Sequence, residues 1–303
     1  MFRAARRSFS LASCVLGAGL CASACTTRTA VFDVPDAGPL LDAGEAADAA
    51  AADAGRDAGP SIDGGPRLDD VLVYAHSPDT LFTFSPYTNT VAPIGRFTEP
   101  SGANAPDMVD LAVDSDGLVF TTSARALYRV DPLTAVATKV GDFAAVSDQF
   151  FGLTFLVAGE LGPDEVLIGA TNAGEYFRIN TNNARTTRLG QYPDEWTSSG
   201  DLVSVAGLGT FATLRRADYP DSDVVARITF RADGTSAVTV LGPAGFRQLF
   251  GLGYWGRDLY GFSNSGELVR IDRTTGAGTL ATAMTGTDRF WGAGVTTQAP
   301  VLF

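Results

Sequence analysis

Two aspartates, Asp110 and Asp201, are the residues of this 303-residue chain best suited to acid–base chemistry. Each opens an apolar segment of similar form, Asp-Leu-Ala-Val in one case and Asp-Leu-Val-Ser-Val in the other. If the two segments are equivalent parts of repeated units, their carboxyls can face one another across a shared channel. Two carboxyls about 5–9.5 Å apart are what glycoside hydrolysis requires. The structural alternative is that each carboxyl caps a loop by accepting backbone N–H groups.

Three aromatic residues, Phe151, Phe250 and Trp291, take the place of these aspartates when similar segments are aligned. Aromatic rings at the mouth of a channel can stack on sugars or hold a peptide, and they can equally pack one structural unit against the next. Trp196, Trp255 and Trp291 are therefore the predicted ligand-binding candidates.

Other familiar chemistry has little support in the sequence. His76 is the one histidine, which leaves no second imidazole for a zinc site, and we interpret it as an ordinary residue at a strand end. The nucleophile-elbow, P-loop and zincin motifs are absent. We predict no catalytic residue beyond the two aspartate candidates, Asp110 and Asp201, no metal and no cofactor.

A strand-turn-strand phrase recurs at 80–95, 126–141, 175–190 and 267–281. Short runs of Val, Leu, Phe, Tyr and Thr alternate with Gly- and Pro-containing turns throughout 67–303, which predicts an all-β domain. The spacing of 40 to 50 residues or so is that of a propeller blade.

The phrase resembles the Leu-Tyr-x-Ile-Asp-Pro-x-Thr-Gly pattern of quinoprotein and YVTN/NHL-like β-propeller repeats. It appears here as Leu-Tyr-Arg-Val-Asp-Pro at 127–132 and as Leu-Val-Arg-Ile-Asp-Arg-Thr-Thr-Gly at 268–276. The resemblance implies a propeller fold and no particular activity. In the phrase itself, Asp opens a tight turn and Gly supplies a positive φ.

Counting the repeats predicts a single propeller with five blades. Six blades are the alternative, because the repeat at 190–242 is long, but its excess at 217–223 is better explained as a loop. The first repeat lacks an inner strand, and residues 291–295 supply one that no blade follows. Pairing of N- and C-terminal strands therefore closes the predicted ring and removes the exposed sheet edges.

Residues 1–24 resemble a bacterial lipoprotein signal peptide. Three arginines precede a short apolar stretch, and Ala-Ser-Ala stands immediately before Cys25. We expect Cys25 to carry the lipid, which predicts an exported protein held on a membrane, the outer membrane being favoured. An ordinary secretory signal cleaved after residue 24 is the alternative.

Residues 25–66 form a predicted disordered tether with four Asp-Ala-Gly copies and little to bury. Asp repeats can bind calcium, but their spacing here does not match an EF-hand loop. The net charge of the chain, −12, argues against a nucleic-acid partner. The sequence thus predicts a binding or scaffolding module for a protein, peptide or glycan, with a glycosidase-like hydrolase or lyase as the alternative.

Overall fold

The computed structural model describes residues 72–144, 146, 148–283, 285–287 and 289–302. The predicted signal peptide, Cys25 and the predicted tether lie outside these residues. Within them the regular structure is all strand, and no helix is long and apolar enough to cross a bilayer.

The described part of the chain contains twenty strands. They are β1 (Val73–His76), β2 (Thr80–Ser85), β3 (Thr90–Arg96), β4 (Met108–Val113), β5 (Val119–Ser123), β6 (Ala126–Val130), β7 (Ala137–Asp142), β8 (Phe150–Leu156), β9 (Val166–Thr171), β10 (Glu175–Ile179), β11 (Thr186–Gln191), β12 (Thr197–Val205), β13 (Gly209–Arg215), β14 (Val224–Phe230), β15 (Ser236–Pro243), β16 (Leu249–Trp255), β17 (Asp258–Ser263), β18 (Leu268–Ile271), β19 (Gly278–Thr282) and β20 (Gly292–Val295).

These strands form five antiparallel sheets of four, which are the blades of a β-propeller. Blade 1 has the order β20-β1-β2-β3, and blades 2 to 5 are β4–β7, β8–β11, β12–β15 and β16–β19. The inner strands β4, β8, β12, β16 and β20 contact one another in sequence around a central channel. The prediction of five blades is confirmed, and the six-blade alternative is excluded because 216–223 is a loop between β13 and β14.

Closure of the ring by the C-terminus is also confirmed. Strand β20 pairs antiparallel with β1, from Val73 opposite Val295 to His76 opposite Gly292. The sheet of blade 1 therefore joins the two ends of the described chain, and β1 has no free inner edge.

The repeated apolar-Gly ending of each outer strand is a β-bulge. The bulged residue lacks a cross-strand partner in all five blades, and these residues are Ile94, Val140, Leu189, Leu241 and Ala281. In blades 1 to 4 a glycine follows. A Cβ at Gly190 would collide with the carbonyl oxygen of Gly234 in the next blade, so glycine is required there for the blades to approach.

The turn between the third and fourth strands works as the repeated phrase predicted. Asp272 Oδ1 accepts the backbone N–H groups of Thr274 at 2.7 Å and Thr275 at 2.9 Å. Hydrogen bonding, first from the Thr274 hydroxyl, lowers the pKa of Asp272 to about 2. Gly276 then takes a φ of 73°, which closes the turn.

Candidate functional site

One position in each inner strand reaches the centre of the channel. Blades 2 and 4 place an aspartate there, and the other three blades place glycine, so that the five residues are Asp110, Gly152, Asp201, Gly251 and Gly292. Both aspartates are completely buried. The glycines leave the space that the two side chains fill: a Cβ on Gly292 would collide with Asp110 Oδ1. Asp110 and Asp201 are called the carboxyl pair below.

The carboxyl pair collects one inward-pointing backbone N–H group from every blade. Asp201 Oδ1 accepts those of Leu202 at 2.6 Å and Leu153 at 3.4 Å. Asp201 Oδ2 accepts those of Leu252 at 2.8 Å and Ala293 at 3.4 Å.

The fifth N–H group, that of Leu111, donates to Asp110 Oδ1 at 2.8 Å. An unpaired backbone N–H group in this buried channel would cost about 1–3 kcal/mol. The carboxyl pair therefore supplies hydrogen-bond acceptors that a channel lined by glycine alone would lack.

The two carboxyls share their proton unequally. Burial raises the pKa of both well above the usual range, and the charge of Asp201 raises that of Asp110 further. Four N–H donors favour the ionised form of Asp201, whereas Asp110 receives one such donor from its own strand. Asp110 Oδ2 is buried without a donor among the described residues. Asp110 is therefore the protonated member, hydrogen-bonded to Asp201.

His76 lies beside the carboxyl pair, which the sequence did not indicate. It is fully buried at the end of β1, and its Nε2 would lie 2.5 Å from a Cβ on Gly292, the same point that Asp110 Oδ1 approaches. Nδ1 donates to the Ser77 carbonyl oxygen at 2.8 Å, so Nε2 is the unprotonated nitrogen. Burial lowers the pKa of His76 to about 4, and the ring is neutral.

Above the carboxyl pair, at the end of the channel where the inner strands begin, lies a cavity of about 250 Å³. We call it the mouth pocket. Its lining consists of three half-buried aromatic side chains, three polar ones and a valine, namely Phe151, Phe250, Trp291, Gln149, Asn264, Arg289 and Val109.

Bulges in the inner strands turn Phe151 and Phe250 into the mouth pocket, and Trp291 enters it from just before β20. The pairing skips Val109 in β4, Phe151 in β8 and Phe250 in β16. Each skipped residue directly precedes the position at the channel centre. The aromatic residues therefore lie one position before the aspartate register, and the alignment that equated them with Asp110 and Asp201 was wrong by one residue.

A second, more polar cavity of about 400 Å³ adjoins the mouth pocket, and we call it the side cleft. The two share Arg289 and Trp291. Within the side cleft, Arg96 forms an ion pair with Asp79 at 2.8 Å. Asp107 also lines it.

The three candidate tryptophans lie in three different places. Trp291 is in the mouth pocket. Trp196 is 2% exposed and stacks on Tyr219, with the Arg216 guanidinium 4.1 Å from its ring centre. Trp255 ends β16 at the far end of the channel, against Tyr87. They do not form one site.

Residues 296–302 cross the far end of the channel, an arrangement that the sequence did not predict. Thr297 accepts the Ala206 N–H of blade 4 at 2.8 Å, and its hydroxyl donates to Glu165 of blade 3. Leu302 donates its N–H to Gly256 of blade 5 at 2.8 Å. With Thr297 and Ala299 buried, this segment covers the end of the channel opposite the mouth pocket.

The chemistry that the channel can perform depends on which of its side chains a substrate can reach. A buried acid beside a carboxylate has the protonation states of a general acid and its partner, yet neither side chain of the carboxyl pair exposes any surface to a substrate. Among the described residues, no group of three or more His, Cys, Asp or Glu side chains is arranged to hold a metal ion. The mouth pocket, by contrast, offers aromatic faces, amides and one guanidinium directly to solvent.

No protein-family model and no curated protein matches the sequence. Among solved structures, the chain is similar to one from the nidogen/laminin complex, with 12% identity, a TM-score of 0.47 and coverage of 76% of this chain and 99% of the other. A candidate 6-phosphogluconolactonase from Bacteroides fragilis gives 11% identity, a TM-score of 0.42 and coverage of 76% and 99%. The WD40 repeats of RRP9 give 11% identity, a TM-score of 0.39 and coverage of 70% of this chain and 59% of the other. These likenesses extend to the fold alone.

Proposed function

We propose that this chain is a lipid-anchored binding module of the cell envelope whose mouth pocket holds a ring of a glycan ligand. The observation that supports the proposal most strongly is the position of Phe151, Phe250 and Trp291. Inner-strand bulges, or the residue just before β20, present all three half-buried at one opening. Aromatic residues that pack blades together would instead be fully covered, as Phe150 is.

The scaffold around the mouth pocket suits binding without chemistry. The carboxyl pair below it is occupied by backbone N–H groups, and the closed ring of blades fixes the aromatic side chains relative to one another. A rigid pocket loses little conformational entropy when a ligand enters, which favours affinity. A volume of about 250 Å³ is that of a small ring with its substituents rather than of an extended chain.

Ligand binding can be tested with the full chain carrying Cys25→Ser, using neutral and acidic envelope oligosaccharides as probes. Binding should change the fluorescence of Trp291. Phe250→Ala should lower the affinity for the ligand about tenfold or more, since an aromatic contact contributes about 0.5–1.5 kcal/mol beyond burial. Tyr87→Ala, which removes an exposed aromatic ring at the opposite end of the channel, is the matched control. Equal effects of the two substitutions would contradict a site at the mouth.

The hydrolase alternative rests on one observation, the meeting of two buried carboxyls at the channel centre, of which Asp201 accepts four N–H groups and Asp110 one. Hydrolysis of this kind needs both carboxyls to reach the glycosidic bond, and their burial argues against it. Incubating the oligosaccharide that binds with the wild-type chain and following new reducing ends tests this alternative. Product formation that Asp110→Asn abolishes would favour the hydrolase.

Anchoring through Cys25 is proposed from the sequence. The small residues before Cys25 support lipidation, and the acidic tether would hold the propeller away from an anionic membrane surface. We expect the wild-type chain in the outer-membrane fraction and Cys25→Ser in the soluble one. A Cys25→Ser protein that still sediments with membranes after a high-salt wash would contradict the anchor.

A further inference from the structure

Among the described residues that line the mouth pocket, Arg289 is the one with a charged side chain. This side chain is exposed, and no described residue forms an ion pair with it. The nearby Arg96 differs, because Asp79 neutralises it at 2.8 Å. The chain has a net charge of −12, and Arg289 places a positive charge at the opening of the channel.

Arg289 stands where it can act together with an aromatic ring. It and Trp291, two residues later, both line the mouth pocket and the side cleft. A ligand ring lying on Trp291 would have a substituent within reach of the guanidinium. Guanidinium groups bind carboxylates through two parallel hydrogen bonds, which makes arginine selective for that group.

The remaining polar groups favour a sugar over a peptide. Gln149 and Asn264 offer both donors and acceptors, which suit hydroxyl groups. A peptide bound by strand addition needs a free sheet edge. The inner strands are the edges of their sheets, but these edges face the buried centre of the channel, where the carboxyl pair accepts one N–H group from each blade.

We propose that the mouth pocket binds a carboxylate-bearing sugar, such as a uronic acid residue of an envelope polysaccharide, with the ring on Trp291 and the carboxylate on Arg289. This inference rests on the proposed function and specifies its ligand. The side cleft, which shares both residues, then receives the next sugar along the chain.

The test compares a uronic acid oligosaccharide with its methyl ester, which has the same ring and no charge. Titration calorimetry on the full chain carrying Cys25→Ser should show the acid binding about tenfold tighter than the ester, the effect of one charge-assisted hydrogen bond. Arg289→Gln should remove this preference by lowering the affinity for the acid to about that for the ester. Arg188→Gln is the matched control and should retain the preference, because Arg188 lies on the outer strand β11, paired with Glu175, and lines neither cavity.

The outcomes separate this inference from the function on which it rests. Equal affinity for acid and ester, both lost in Phe250→Ala, would overturn the acidic ligand and leave a glycan site at the mouth. No binding of either sugar would overturn both. Binding of a peptide with a free C-terminal carboxylate, dependent on Arg289 and without sugar binding, would overturn the sugar and assign the pocket to peptides.

Discussion

The middle of the channel and its mouth differ in how far their side chains are exposed to solvent, and this difference separates their roles. The middle takes one residue from each of the five inner strands, whereas the mouth takes the preceding residue from three of them and Trp291 from just before β20. In the middle, Asp110 and Asp201 are fully buried and accept an N–H group from each of the five blades. At the mouth, the aromatic side chains are half-buried and the Arg289 guanidinium is exposed.

This difference teaches that the residue type most suggestive of chemistry can be the structural one. Carboxyls beside a channel invite a catalytic interpretation. Here their hydrogen-bonding capacity is used by the fold, whereas the aromatic side chains keep surface available for a ligand. We therefore expect substitutions in the middle to change stability and substitutions at the mouth to change binding.

Deleting 290–303 should have the largest effect, because it disrupts both regions at once. It removes β20, leaves the edge of β1 unpaired, and takes away the buried Phe290 and the Ala293 N–H that Asp201 accepts. Burial of one large aromatic side chain is worth about 3–5 kcal/mol, a large share of a typical stability of about 5–15 kcal/mol. The truncated chain should aggregate or lose cooperative unfolding in urea. A stable, cooperative fragment would contradict the closure of the ring.

The two aspartates should respond unequally to the same isosteric change. In Asp201→Asn an amide NH₂ group faces two backbone N–H donors, and the loss of the charge should destabilise the domain by about 3–5 kcal/mol. Asp110→Asn should cost about 1 kcal/mol or less, because its amide can donate to Asp201 as the proton did. Urea unfolding of the two variants measures the difference. Equal losses would show that the proton is not held on Asp110.

Protonation of Asp110 should also appear in the pH dependence of stability. Burial and the neighbouring Asp201 charge raise its pKa in the folded state, so its contribution is complete below about pH 4, the unfolded pKa, and is lost as the pH rises toward the folded pKa. Relative to Asp110→Asn, the wild type should lose about 1.4 kcal/mol per pH unit across that window. His76 is present in both chains and largely cancels. Unfolding curves at a series of pH values test this, and a constant difference would contradict it.

The smallest effect on stability should come from the mouth. Phe250 is half-buried and lies in a bulge without a strand partner, so Phe250→Ala should change the free energy of unfolding by only about 1 kcal/mol. Its effect on ligand affinity should be larger than that. Thermal unfolding beside a binding titration separates the two, and a Phe250→Ala protein that unfolds several kcal/mol more easily would place this ring in the core.

Much of the fold could be predicted from the sequence because its elements repeat. The inner strands, the turns opened by Asp131 and Asp272, and the closure by residues 291–295 all follow from local patterns that recur in register. The bulges could not be predicted in this way, since the inner strands are buried on both faces and have no alternating pattern that an extra residue would interrupt. That is why the aromatic residues were assigned to the aspartate register.

The site itself depended on contacts between distant segments. His76 approaches Asp110 because β1, near the start of the described chain, pairs with β20, near its end. Residues 296–302 cross the far end of the channel because they hydrogen-bond to blades 4 and 5. One signal was available: two aspartates stand where three other blades have glycine. Glycine at the channel centre leaves room, and a side chain from another blade fills it.

The central claim is that the mouth pocket binds the ligand and the carboxyl pair stabilises the fold. One calorimetric comparison tests it most directly. A uronic acid oligosaccharide is titrated into Asp110→Asn and Phe250→Ala, each in the full chain carrying Cys25→Ser. The account predicts wild-type affinity for Asp110→Asn and at least about tenfold weaker binding for Phe250→Ala. Loss of binding in a folded Asp110→Asn protein, with Phe250→Ala unaffected, would contradict it.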